Sequence, residues 1–182
     1  MAEHGLVTNT MKKSVLTTSN PFERRIGYHR AVKRGPFIFV SGTTALKLNP
    51  APSNTSVDAS NMVNPEGSAT VEYSNDAFKQ ALLAMARAID AVERLGGARE
   101  DIARVRMFVA RGEDCETVGA AFKQCFATPE QELPVQDNKE DEKVLWKEDM
   151  IGAAATMIVV PGGFVDSGIL VEVEVDAVIV TF

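Results

Sequence analysis

The chain has 182 residues, of which 45% are hydrophobic and 24% are charged. This length and balance are typical of one globular domain and exclude collagen, a coiled coil and wholesale disorder. The formal net charge is −6, which gives no general attraction to phosphate backbones. We therefore expect no nucleic-acid partner.

Residues that build metal or covalent sites are scarce. Cys115 and Cys125 lie outside any CxxC spacing, and His4 and His29 are the only two histidines. This composition predicts no metal site and favours reduced cysteines. No apolar run approaches the ~18 residues that a membrane span needs. The N-terminal residues lack the apolar stretch of a secretory signal. We expect a cytoplasmic protein that does not bind membranes.

Strands and helices alternate along the chain. A β-branched and aromatic run predicts a strand over 37–42. Apolar residues at helical spacing predict a helix over 73–95, capped by Ser74. Alternation predicts a strand over 102–110, and a second helix is predicted over 115–126. Two closing strands are predicted over 153–160 and 169–180, joined by a Pro-Gly-Gly turn.

Two long polar segments interrupt this pattern. Residues 48–68 are rich in Pro, Ser and Asn, and residues 127–150 hold eight acids against three lysines, which accounts for most of the net charge of −6. The acidic segment is either a solvated loop or a segment that folds over a basic region. We predict a flexible N-terminal extension over 1–20 and one domain over 21–182. Insertions are predicted at about 48–70 and 127–150.

The element order β(β)αβαββ predicts an α+β fold with two helices on one face of a mixed sheet. Apolar residues occur on both faces of the strands at 37–42 and 153–160. A sheet face that is not covered by helices is expected to be polar if it is solvated. These strands therefore predict a homo-oligomer.

Five segments in this order resemble the RidA family, also called YjgF/YER057c/UK114. They are 25–32 (RIGYHRAV), 35–44 (GPFIFVSGTT), 102–126, 153–160 (AAATMIVV) and 170–178 (LVEVEVDAV). The resemblance implies a chorismate-mutase-like fold and a homotrimer with a central barrel and clefts between subunits. It also implies hydrolytic deamination of small reactive imines or enamines, as by 2-iminobutanoate/2-iminopropanoate deaminases, with no metal and no cofactor.

The resemblance also implies functional residues. The family's cleft tyrosine corresponds to Tyr28 and its catalytic glutamate to Glu172, while Thr43 and Thr44 lie in the substrate-binding turn. The carboxylate-binding arginine of the family corresponds to Gly152, next to Ala153.

Each of these residues has a simpler interpretation. Glu172 lies in an alternating strand and could belong to a solvated face, and the two threonines could serve only the turn. Arg104 and Arg106 either pair with the acids of the last strand or one of them replaces the missing anion-binding arginine.

Three functions remain open from the sequence. The first is an imine or enamine hydrolase, with a small-molecule ligand bound in each cleft. The second is a trimer that binds small molecules or partner proteins without catalysis. The third is a cleft recruited for another reaction, such as a cyclisation or lyase step.

Overall fold

The structure, a computed structural model, describes residues 12–48, 69–127 and 151–180. Most of both predicted insertions lies outside these residues. Within these ranges the chain forms eight strands: β1 (Lys13–Leu16), β2 (Ala31–Arg34), β3 (Phe37–Thr44), β4 (Leu46–Leu48), β5 (Ala69–Val71), β6 (Ile102–Val109), β7 (Ala154–Val159) and β8 (Val171–Val178). Three α-helices accompany them: α1 (Pro21–Ile26), α2 (Ala77–Arg94) and α3 (Cys115–Phe126).

Six of the strands form one mixed sheet in the order β1-β2-β3-β8-β6-β7. Strands β6 and β7 are parallel, whereas all the other neighbours in this sheet are antiparallel. Strands β4 and β5 form a separate antiparallel pair. The predicted α+β class and mixed sheet are confirmed, and within the described residues no helix is long and apolar enough to cross a membrane.

The core lies between one face of the sheet and helices α2 and α3. Along β8, Val171, Val173, Val175 and Ala177 are buried, and the acidic residues between them face the other side. Helix α2 packs on β3, β8 and α3. The face without helices, which we call the open face, includes the residues Phe37, Phe39, Phe108, Ile158, Glu172, Glu174 and Asp176.

The sequence pattern did not predict how deeply the alanines of α2 are buried. It predicted a stripe of large apolar residues, of which Met85 and Val92 are buried and Phe78, Leu82 and Ile89 are partly buried. A stripe of alanines is at least as deeply buried: Ala77, Ala81, Ala84, Ala88 and Ala91. Alanine allows close approach of a helix to a sheet at little cost in side-chain entropy.

The predicted start of this helix was wrong. The helix begins at Ala77 rather than Tyr73, and its N-cap is Asp76, not Ser74. The Asp76 carboxylate accepts a hydrogen bond from the backbone N–H of Lys79 at 3.0 Å. Tyr73 has a φ of 56°, a left-handed conformation that cannot continue into a right-handed helix.

The N-terminal part contains elements that the sequence pattern did not predict. Strand β1 lies within the predicted extension and pairs with β2, and α1 follows it, capped by the Asn20 side chain. Glu23 of α1 is 2% exposed. Its carboxylate accepts hydrogen bonds from the backbone N–H and the hydroxyl of Thr18, both at 2.7 Å. These bonds tie the segment after β1 to α1.

Gln80 is a polar residue in the core and supports a stability prediction. Its amide nitrogen donates to the carbonyls of Tyr73 (3.1 Å) and Gly168 (2.8 Å), and its amide oxygen accepts from the Leu170 N–H at 2.8 Å. Gln80→Leu is expected to lower the free energy of unfolding by about 2–4 kcal/mol, because the buried N–H of Leu170 and the part-buried carbonyl of Gly168 both lose their bond to the amide. Urea unfolding would measure this. The exposed Gln124→Leu in α3 is the matched control, and an equal, small loss in both variants would contradict the prediction.

Candidate functional site

An open cleft of about 800 Å³ lies where the N-terminal segment meets the end of β3 and the start of β8. Four predicted site residues line it, namely Tyr28, Thr43, Thr44 and Glu172. The β4–β5 pair supplies Leu46, Lys47 and Ala69 to one wall, and α2 supplies Arg87, Asp90, Ala91 and Arg94 to another. The structure thus brings residues together that are more than a hundred positions apart in the chain.

Glu172 is placed by the pairing of β8 with β3. It lies opposite Thr44, just past a register shift of β3 between Val40 and Thr43. Gly42 lies within this shift, and a Cβ built on Gly42 would overlap the Oε1 atom of Glu172. The carboxyl group therefore rests directly over the glycine backbone, in space that any other residue would fill.

Tyr28 is placed by the end of α1. Gly27 closes that helix in a left-handed conformation with φ 88°, and the N–H of Tyr28 then donates to the Glu23 carbonyl at 3.0 Å. Left-handed closure favours glycine because it has no Cβ. This turn directs the chain back to the sheet, where β2 begins at Ala31.

Arg30 lies between Tyr28 and β2 and lines the cleft, where its guanidinium makes three hydrogen bonds to α1 and β3. Its Nε donates to Oε1 of Glu23 at 3.3 Å. Its Nη1 donates to the Gly42 carbonyl and to the Thr43 hydroxyl, both at 3.0 Å. The Glu23–Arg30 pair therefore connects α1 to the part of β3 that supports Glu172.

The acid–base groups of the cleft are perturbed by burial. Burial raises the pKa of Glu172, the negative charge of Glu174 raises it further, and Arg30 lowers it. Burial also raises the pKa of Tyr28, against a lowering contribution from the positive charge of Arg30. A carboxyl group with a raised pKa retains its proton nearer to neutral pH, as proton transfer to a substrate requires.

This raised pKa predicts a pH-dependent stability difference. Because Glu172 ionises less readily in the folded state, its contribution to stability is full below its ordinary pKa of 4.5 and falls as the pH rises through the folded-state value. Glu172→Gln stays neutral. Its Tm relative to wild type is therefore expected to rise between about pH 4 and pH 8. Thermal unfolding across this range measures the difference, with the exposed Glu113→Gln as control. A difference that is independent of pH would contradict the prediction.

The two threonines make local hydrogen bonds. The Thr43 hydroxyl donates to the Ser41 carbonyl at 2.8 Å, and the Thr44 hydroxyl accepts from the Leu46 N–H at 3.2 Å. Their predicted role in the turn is confirmed. Arg87 fixes the same turn from α2 through the carbonyls of Thr44 and Leu46, at 2.8 Å and 2.9 Å.

The other four predicted substrate-binding residues lie away from this cleft in the described chain. Arg106 pairs with Asp176 at 2.7 Å and with Glu174 at 3.4 Å on the open face, which confirms its predicted pairing with the acids of the last strand. Arg104 is exposed on the same strand, while Gly152 and Ala153 immediately precede β7.

The sequence interpretation missed Arg30 as a site residue. The only signal was a charged residue just before a strand, two positions after the predicted cleft tyrosine. Its partner Glu23 gave no signal because a glutamate in a short helix is ordinarily solvated. Among the described residues, no group of three His, Cys, Asp or Glu side chains is arranged to hold a metal ion.

Comparison with known proteins identifies the class of fold. Rv2704 of Mycobacterium tuberculosis, a member of the YjgF/YER057c/UK114 family, is 22% identical, with a TM-score of 0.58 over 92% of this chain and 100% of its own. The YjgF gene product of E. coli is 21% identical, with a TM-score of 0.54 over 90% and 92% of the two chains. A Yersinia pestis protein of the Rid family, YyfA, is 19% identical, with a TM-score of 0.56 over 92% and 100%.

In sequence, the chain is similar to SCO2049 of Streptomyces coelicolor, an uncharacterised protein. The two are 29% identical over 160 residues, 88% of this chain and 87% of the other. No protein-family model matches the chain. The fold is that of the YjgF/YER057c/UK114 (RidA) family, and the resemblance seen in the sequence is confirmed at this level.

Proposed function

We propose that this protein is a divergent RidA-like hydrolase that converts a small reactive imine or enamine to a carbonyl compound and ammonia, without a cofactor. The observation that carries the proposal is the half-buried Glu172 carboxyl, which shares a cleft with Tyr28 and Arg30 and has a raised pKa. The fold is shared with a Rid-family structure, and the reaction class is the one that the sequence resemblance to the RidA family implies.

The proposed reaction needs one acid–base group and one water molecule. The protonated Glu172 carboxyl gives its proton to the imine nitrogen, which makes the adjacent carbon more electrophilic. The resulting carboxylate takes a proton as water adds to that carbon and forms a carbinolamine. Return of this proton to the nitrogen makes it a good leaving group. As ammonia departs, the Glu172 carboxylate takes the proton of the carbinolamine hydroxyl, which leaves the carbonyl product and restores the protonated carboxyl. We assign the orientation of the imine or the water to the hydroxyl of Tyr28, a residue that lines the same cleft.

An amino-acid oxidase assay tests this function. The oxidase generates imino acids from several amino acids, and semicarbazide traps whatever imine remains. Purified protein is expected to reduce the trapped product in proportion to its concentration. Hydrolysis at the background rate for every amino acid would contradict the proposal and favour the alternatives, a non-catalytic binding protein or a cleft used for another reaction.

We also propose that the chain forms a homotrimer through the open face. Phe37 and Phe39 are 45% and 50% exposed there, and their rings stack at 6.4 Å between centroids. Ile158 is 45% exposed on β7. Exposed apolar residues clustered on one sheet face are typical of an interface. Light scattering at micromolar concentration is expected to give three times the chain mass of 19.7 kDa. A monomer would contradict the proposal.

A further inference from the structure

Arg30 is a part-buried cation whose hydrogen bonds leave part of its guanidinium available. Its side chain is 14% exposed and lines the cleft. A guanidinium carries five N–H donors. In the described part of the chain Nε donates to Glu23, and Nη1 donates to Gly42 and Thr43. The guanidinium also forms a side-chain hydrogen bond with the Tyr28 hydroxyl. These contacts use four of the five N–H donors, so one donor of the group remains for a ligand.

Glu23 neutralises this cation only in part. Both of its carboxylate oxygens already accept hydrogen bonds from Thr18 at 2.7 Å. Its contact with Arg30 is one longer bond, 3.3 Å from Nε. A bidentate pair would use two parallel N–H groups of the fork. The single side-on contact instead fixes the direction of the guanidinium and leaves its outer edge free of the carboxylate.

The charged side chains of the cleft favour an anion. Four basic residues line it against three acidic ones: Arg30, Lys47, Arg87 and Arg94 against Asp90, Asp166 and Glu172. Burial raises the pKa of Glu172, which makes this acid the easiest of the three to neutralise. The Tyr28 hydroxyl faces the same guanidinium and supplies a further donor to the cleft.

Two other arginines are engaged in bonds of their own, and a third, Arg94, lines the cleft as a more exposed side chain 3.8 Å from Asp90. Arg87 already donates to two backbone carbonyls and to Glu72 at 2.6 Å, and Arg106 is paired with acids outside this cleft.

We propose that Arg30 is a specificity-determining residue that binds a planar oxyanion of the ligand, such as a carboxylate, and that Glu23 is its positioning residue. Arg30 thus binds the anion, a role that Gly152 cannot fill because it has no side chain. The inference deepens the proposed function, because it identifies the ligand class of the same cleft. It does not depend on turnover, since anion binding is measured without the reaction.

Calorimetric titration with two ligands of nearly equal shape tests the proposal. The probes are 2-oxobutanoate, which carries a carboxylate, and 2-oxobutanamide, its uncharged counterpart. Wild type is expected to bind the carboxylate at least about tenfold more tightly than the amide. Arg30→Lys retains the charge, but one ammonium group cannot hold Glu23, Gly42 and Thr43 and also bind the ligand in the same geometry, so this preference is expected to fall severalfold.

A double variant separates the loss of anion binding from a loss of folding. Arg30→Gln alone leaves Glu23 as a buried unpaired charge, which destabilises the fold. Glu23→Gln/Arg30→Gln removes both charges and is expected to fold and to lose the carboxylate preference. Arg111→Gln removes an exposed arginine that pairs with Asp114 outside the cleft and is expected to retain it. Arg106→Gln tests the competing anion site.

Three results would overturn the proposal: wild type that binds both probes equally, wild type that does not bind the carboxylate, or a preference lost in Arg106→Gln but kept in the double variant. Failure of the proposed function looks different. A protein that prefers the carboxylate through Arg30 yet hydrolyses no imine would contradict the hydrolase and support the anion site. A protein that hydrolyses imines and binds both probes equally would support the hydrolase and contradict the anion site.

Discussion

Replacement of Glu172 by glutamine is expected to lower the rate of imine hydrolysis by about 100-fold or more, because the amide cannot transfer a proton. The side chain keeps its size, so it still fits over Gly42. Binding of the carboxylate probe and the oligomeric state should both persist. The oxidase and semicarbazide assay measures the rate, and light scattering measures the mass.

Glu174→Gln is the matched control for this prediction. Glu174 lies two residues along β8, on the same face, and pairs with Arg106 instead of lining the cleft. Its loss is expected to change the rate by no more than a few fold. Equal losses in the two variants would show that the charge of the open face matters, and not proton transfer at Glu172.

Replacement of Gly42 by alanine is expected to lower activity by about 10- to 100-fold, since misplacing a catalytic group by 1 Å can cost that much. A Cβ at this position would lie 2.8 Å from the carboxyl carbon of Glu172 and closer still to Oε1. The obstructing atoms are the end of a flexible side chain, which can rotate away. The fold is therefore expected to tolerate the change. The carboxyl group of Glu172, by contrast, is expected to be displaced.

Gly119→Ala is the control for replacing a glycine. Gly119 lies within α3, and its nearest side-chain atom is 4.0 Å from an added Cβ. Alanine in a helix interior is about 0.5–1 kcal/mol more favourable than glycine, so this variant should be slightly more stable and fully active. Full activity of Gly42→Ala would mean that the observed place of the Glu172 carboxyl is not the catalytic one.

The sequence by itself determined the elements whose burial follows a regular period. Helix α3 has the predicted bounds, and strand β6 buries Val105, Met107 and Val109 as its alternation predicted. Such patterns survive folding because one face of each element contacts the core and the other does not. The resemblance of five ordered segments was enough to predict the fold.

The tertiary structure decided what depends on contacts between distant segments. The start of α2 was set by the left-handed Tyr73 and the Asp76 cap, and β1 exists because β2 supplies its hydrogen bonds. Neither the start of α2 nor the formation of β1 follows from a periodic pattern of residues in the sequence.

The candidate site also contains residues that the sequence predicted and residues that only the tertiary structure revealed. Tyr28, Thr43, Thr44 and Glu172 were all predicted and share one cleft. Arg30 and Glu23 became visible as a pair only once α1 was folded against the end of β3. A buried ion pair leaves no mark in composition or periodicity, because each partner alone is typical of a solvated surface. Its position depends on the contact between the two segments, and that contact exists only in the folded chain.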